Sequence, residues 1–261
     1  MGNKQHANEY LAVVVAAISL LMPLGCKNLP DSYDSVDVEL VQIRETAHYI
    51  FRYSPGDFVH ADRMESYHDW AVDFLGVQLP KKIDYFKYRD RAQQIRMTGT
   101  FVTGFADPQN FEIHTAEPWI PHEAAHLYFS LIGTAPPFFN EGVAVAMQVD
   151  PYNNDYIPRE KGGEPVHSIA RRFLAEGRLY PVEDILEAVK FMEGDFTIGY
   201  IQGGSFVGYI MDAYGIEALK ALFQNSGYND SSQQIKSTFL GVYGRSIADM
   251  EQEWLAFLKG L

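Results

Sequence analysis

The chain has 261 residues, 47% of them hydrophobic, including 17 Phe and 16 Tyr, which is enough to bury a real core and excludes an intrinsically disordered chain. Its 34 acidic residues outnumber 21 basic ones, giving a net charge of -13, and no run of Lys and Arg exceeds two, so nucleic acid is excluded as a partner. Cys26 stands alone, which excludes both an intramolecular disulfide and a cysteine-based metal site.

Residues 1 to 10, MGNKQHANEY, are polar, and LAVVVAAISLLMPLG, residues 11 to 25, is apolar apart from Ser19. About fifteen apolar residues interrupted by Pro23 are too short for a membrane span, which needs roughly twenty. The pattern reads as a secretory leader over 1–25 with its cleavage site at the Gly25-Cys26 junction. It resembles a bacterial lipoprotein signal, which implies a lipid on Cys26, an exported chain and a place in the cell envelope; an ordinary signal or an uncleaved N-terminal anchor, the two alternatives, would export the chain as well. Residues 26–36, rich in Pro, Asp and Ser, read as a tether.

The domain is expected over 37–261, with a sheet part at 37–118 and a helical part at 119–261. VDVELVQIRETAHYIFRYSPGD alternates and ends at a Ser54-Pro55-Gly56 turn, which predicts a strand or hairpin. ADRMESYHDWAVDFLG places Met64, Tyr67, Trp70, Ala71 and Phe74 at helical spacing and stops at Gly76. KKIDYFKYRD and FEIHTA read as strands. From Pro121 onward the signals are helical: WIPHEAAHLYFSLIG, then a stiff TAPPFF loop, then EGVAVAMQ with Asn140 as its N-cap. SIARRFLAEG, VEDILEAVKFM, YIQGGSFVGYIMDAYG, IEALKALFQNSG and IADMEQEWLAFLKG follow as helices. Strands first and helices afterwards predict an α+β fold, a small N-terminal mixed sheet with a helix and then a helical C-terminal lobe.

The chemistry centres on PHEAAHLYFS. On a helix, His122 and His126 leave the same face one turn apart, about 40° around the axis, as two ligands of a tetrahedral Zn2+ require. Glu123, about 100° from His122, can reach a water beside such a metal without ligating it, as a general base does. The competing reading is a buried histidine pair. Glu141, in FFNEGVAVAMQ, is the sole acid between Glu123 and Asp150. A helical hairpin would return its carboxylate to the histidine face as a third ligand, whereas an exposed first-turn acid would only complement the helix dipole.

PHEAAH followed by FFNEGVAVAMQ resembles the gluzincin class of zinc metallopeptidases, and the likeness to their peptidase MA-like domains extends over about residues 40–261. It implies a thermolysin-like (zincin) catalytic domain, zinc held by His122, His126 and Glu141, Glu123 as base, and a peptide or protein substrate. YIQGGSFVGYIMDAYG is similar to a later helix of aminopeptidase-like gluzincins, which implies an oxyanion-donor role for Tyr200. The interval to the third ligand is shorter than in aminopeptidases, and no GxMEN-like segment appears. An endopeptidase is therefore expected in preference to an aminopeptidase. Val145 stands where thermolysin-like members carry an acid that orients a ligating histidine. Two other readings stay open: a catalytically silent envelope lipoprotein that binds a peptide or protein partner, and a zinc hydrolase of non-peptide amides. His48, His60 and His68 read as surface or strand residues. His114, on a strand that could border the cleft, and His167, near Arg171 and Arg172, are minor candidates for oxyanion binding.

Overall fold

Alternating burial begins the fold. In the computed structural model, which describes residues 39–160 and 163–261, strand β1 (Gln42–Glu45) pairs antiparallel with β2 (Tyr49–Tyr53). The leader over 1–25, Cys26 and the tether over 26–36 lie outside the described residues. β2 buries Tyr49 and Phe51 and runs parallel to β3 (Ile83–Lys87), which places Phe51 beside Tyr85 with ring centroids 5.3 Å apart. Helix α1 (Ala61–Leu75) lies between β2 and β3 in the chain, and Gly76, with φ 63°, supplies the left-handed residue that stops it. Helix α2 (Arg91–Thr98) and strands β4 (Gly104–Asp107) and β5 (Glu112–Thr115) complete a mixed five-stranded sheet in the order β1-β2-β3-β5-β4. β3 and β5 are parallel, and β4 and β5 are antiparallel.

The remaining described chain is helical. α3 (Pro121–Ser130), α4 (Pro137–Ala146), α5 (Val166–Ala175), α6 (Ala188–Glu193), α7 (Phe196–Tyr214), α8 (Ile216–Gln224), α9 (Ser232–Tyr243) and α10 (Ile247–Gly260) follow in order, with short 3-10 turns at Pro151–Asn153 and Val182–Ile185. The protein is therefore α+β, with the small mixed sheet first. Its described residues divide into two units, 39–65 with 79–123 and 66–78 with 124–261, and α1 and α3 each contribute to both.

Three elements escape the hydrophobic pattern, each for a physical reason. RAQQIRMT of α2 has no apolar stripe because it buries Gln93 and Gln94. The Gln93 amide donates to Glu39 and Ser54 at 2.9 and 3.0 Å, and that of Gln94 to the Val102 carbonyl at 3.1 Å. β4, read GFAD, has three poor strand formers around Phe105 and is recruited by β5 through a turn in which Asp107 accepts from the Gln109 and Asn110 amides. α9 is marked by a capping box between Ser231 and Gln234. Two boundaries also differ from expectation. α4 starts at Pro137, whose fixed φ suits a first helical position, so Phe138 and Phe139 are helical and Asn140 lies inside the helix. VEDILEAVKFM breaks at Glu187, which is extended and whose carboxylate accepts from the Ser232 amide at 2.8 Å.

In the second unit, α4 and α7 pack backbone against backbone. A Cβ on Gly142 would lie 2.8 Å from the Gly203 carbonyl oxygen, and one on Gly203 would lie 2.8 Å from that of Phe138. One residue on, a Cβ at Gly204 would meet Val145 Cγ1 at 2.2 Å. These approaches, rather than backbone freedom, require glycine. Nearby, Ser205 joins three helices: the Trp254 indole donates to its hydroxyl at 3.0 Å, and that hydroxyl lies 2.9 Å from His167 Nδ1. Because the indole can only donate, the Ser205 proton is free to go to the imidazole, which then accepts as a neutral ring.

Two outcomes follow. Gly203→Ala should destabilise the protein by about 2 kcal/mol or more, since the neighbour is rigid backbone, read as a lower denaturant midpoint, whereas Ala at exposed Gly241, which meets nothing within 4 Å, should not. Burial lowers the His167 pKa below 6.5, with Asp212 opposing in part. Its neutral form is thus favoured on folding, so stability is full above the unfolded value and falls as pH drops below it. Thermal melts of His167→Gln should lose part of the decline that the parent shows below pH 6.5.

Candidate metal centre

α3 begins with Pro121 at its first position and buries Ala124, Ala125, Leu127, Tyr128 and Phe129. That leaves His122, Glu123 and His126 along its remaining side. Its far end is fixed by Gly133, where a Cβ would come 2.3 Å from the Phe223 carbonyl oxygen, and by Phe129 against Phe223 at 4.7 Å. α4 returns after the Pro136-Pro137 turn and brings Glu141 to the histidine side.

His126 Nε2 and Glu141 Oε2 are 3.4 Å apart. One ligand atom from each of His122, His126 and Glu141 can be chosen so that all lie within 4.8 Å of one another. The 3.4 Å separation is longer than an ordinary N–H to O hydrogen bond, about 2.7–3.2 Å. It matches the edge of a tetrahedron around a zinc ion with ligands at about 2.0–2.1 Å, which is roughly 3.3 Å. The donor set of two imidazoles and one carboxylate also suits zinc. The three residues therefore fit such an ion.

Glu123 is 8% exposed. A Cβ added to Gly104 of β4 would lie 3.1 Å from its Oε1 and 3.2 Å from its Cγ, so the edge strand passes close to this carboxylate because it has no side chain there. Burial raises the Tyr85 pKa strongly, and Tyr49, Glu117 and Glu123 add to the rise, which keeps that phenol neutral. Its hydroxyl donates to the Glu117 carbonyl at 2.8 Å.

Tyr200 sits on α7 one turn before Gly203, hence on the face that meets α4, between Phe191 and Phe196 with ring centroids 6.1 and 6.5 Å away. Two residues on, Gln202 is fully buried and its amide bridges both backbone groups of Tyr180. The polar residue of YIQGG is thus a clasp for the chain before α6. Tyr228, in the turn between α8 and α9, carried no sequence signal. Burial, and then the Glu141 carboxylate, push its pKa up to about 12, which places a neutral phenol in the electrostatic reach of the candidate ligand set.

Other expected positions fall elsewhere. Thr115 pairs with Gly104 and shares its face, so His114, its neighbour on β5, projects from the sheet face opposite Glu123. Its ring stacks between Phe86 and Phe105 at 4.6 and 4.5 Å and bonds the Tyr88 hydroxyl and Glu112 at 2.8 and 3.1 Å. His167 is held by Ser205 in the helical core. His68 is not at the surface: it is 4% exposed, with Nδ1 3.1 Å from the Tyr128 hydroxyl. His48 lies just before β2, with Nδ1 2.7 Å from Glu65. Val145 packs on Gly204, so an acid there would be buried in the helix contact and would cost desolvation.

No protein-family model matches the chain, and no curated protein matches its sequence. Among solved structures, the fold is similar to the crystal structure of an M1 zinc metallopeptidase E323A mutant from Deinococcus radiodurans, with a TM-score of 0.51 and 12% identity over 82% of this chain. The match spans 50% of that protein's chain. A likeness at this identity establishes a zincin-like fold.

Proposed function

We propose that the protein is a zinc-dependent peptide hydrolase, with His122, His126 and Glu141 holding the metal. The separation of 3.4 Å between His126 Nε2 and Glu141 Oε2 carries this reading, because it suits two ligands of one tetrahedral ion better than it suits a hydrogen bond. Bound zinc would supply Lewis acidity for a scissile carbonyl and an attacking water. Glu123, next to a ligand on the same helix and not itself one of the set, accepts the proton of the attacking water and passes it to the leaving amine. Tyr200 donates its phenol proton in a hydrogen bond to the oxygen on which negative charge develops. β4, the outer strand of the sheet among the described residues, passes Glu123 at Gly104, which favours an extended substrate and hence endopeptidase action. Export and attachment to the envelope through a lipidated Cys26 complete the proposal and rest on the leader pattern alone.

Purified protein should contain close to one zinc per chain by mass spectrometry of the metal, and His122→Ala or Glu141→Ala should lose it. Glu123→Gln should keep the metal and lose cleavage of a peptide library by a factor of about 10^3 or more. Tyr200→Phe should lower kcat by roughly 10- to 100-fold with little change in KM. A parent protein that binds zinc and peptides without cleaving any would instead support a silent binding role.

A further inference from the structure

The second unit carries an open pocket of about 260 Å3 lined by Glu160, Phe196, Thr197, Tyr200 and Ile201. That is below the range of about 300–1,000 Å3 typical of sites that enclose a whole small molecule, and it has room for one long side chain. Its walls are aromatic and aliphatic, and Glu160 is its one charged lining residue. The Glu160 carboxylate is oriented by the Gln148 amide, which donates to Oε1 at 3.0 Å. Among the described residues no cationic side chain pairs with it.

Two features of opposite sign meet at this pocket. Phe196 and Thr197 form the start of α7, and a helix N-terminus favours an anion. Asp195 already occupies that end, however, accepting from the Thr197 and Ile198 amides at 2.9 and 3.3 Å. An incoming carboxylate would therefore meet Asp195 and Glu160 in a chain of net charge -13. A neutral apolar side chain would fill the walls but strip water from Glu160 without replacing it. A lysine or arginine lays its alkyl stem on Phe196 and Ile201 and its charge against Glu160.

We propose that this pocket is a substrate side-chain subsite for a long cationic residue, with Glu160 as its specificity-determining carboxylate. The assignment rests on the peptide-hydrolase reading for its substrate class, because Tyr200 is shared between the pocket and the proposed oxyanion site. The acidic surface as a whole adds long-range attraction for basic peptides, which salt screens.

The test uses fluorescein-labelled alanine hexapeptides carrying Lys, norleucine or Glu at either central position. Their binding to zinc-loaded Glu123→Gln full-length protein is measured by anisotropy at low and high salt. At one position Lys should bind about three- to tenfold more tightly than norleucine, and Glu most weakly. Glu160→Gln on the same background should bring Lys and norleucine together, and Glu160→Lys should turn the preference toward Glu. Equal affinities for Lys and norleucine, or a Lys preference unchanged by Glu160→Gln, overturn the subsite. The wild-type protein separates the two readings. Lys-selective binding with no peptide cleaved leaves the subsite standing and removes the hydrolase, whereas cleavage without Lys selectivity removes the subsite alone.

Discussion

The backbone contact between α4 and α7 is the constraint on which the candidate centre depends. Gly142 and Gly203 let the two helices approach until a Cβ on Gly142 would meet the Gly203 carbonyl oxygen and one on Gly203 would meet that of Phe138. Glu141 immediately precedes one glycine, and Tyr200 stands one turn before the other. A helix pair held by flexible side chains could slide by a fraction of a turn, but one held by backbone has a single register. The proposed third ligand and the proposed oxyanion donor therefore inherit their separation from two residues that have no side chain and no chemistry of their own.

The environment of Glu141 explains why this register has electrostatic consequences. α4 is almost wholly buried and carries no other charge, and Phe138, Phe139, Val143 and Ala144 surround the carboxylate in sequence. Glu141 itself is only partly buried, its side chain 21% exposed, so water meets part of its charge and a cation beside it would meet the rest. The neighbouring imidazole atom is 3.4 Å away, which leaves space for a shared cation between them. Its effect is also felt at Tyr228, where it adds to burial in holding the phenol protonated.

Buried polar groups elsewhere follow a different logic. Gln93 closes on Ser54 and Glu39, Gln202 on the Tyr180 backbone, and Ser205 on Trp254 and His167. Each network completes itself within the fold and fixes a join between elements. His114 belongs with them, since its ring faces are stacked and both nitrogens have partners. His114 and His167 are thus structural, whereas His122 and His126 share one helix and His126 faces the Glu141 carboxylate at 3.4 Å.

The sequence by itself determined the α+β order of elements, most helix positions and the His122, Glu123, His126 constellation, because hydrophobic period and ligand spacing within one helix are local properties. It also singled out Glu141, since a lone acid in an apolar run is visible without coordinates. Hydrophobic period did not locate α2, β4 or α9, the first two of which depend on buried amides and on a neighbouring strand. Tertiary structure alone decided that Asn140 lies within α4, that His114 points to the other face of the sheet, that Tyr228 approaches Glu141, and that Glu160 and Tyr200 share a pocket. Those facts depend on which surfaces meet, and helix contact at two glycines is set by close packing between segments about sixty residues apart.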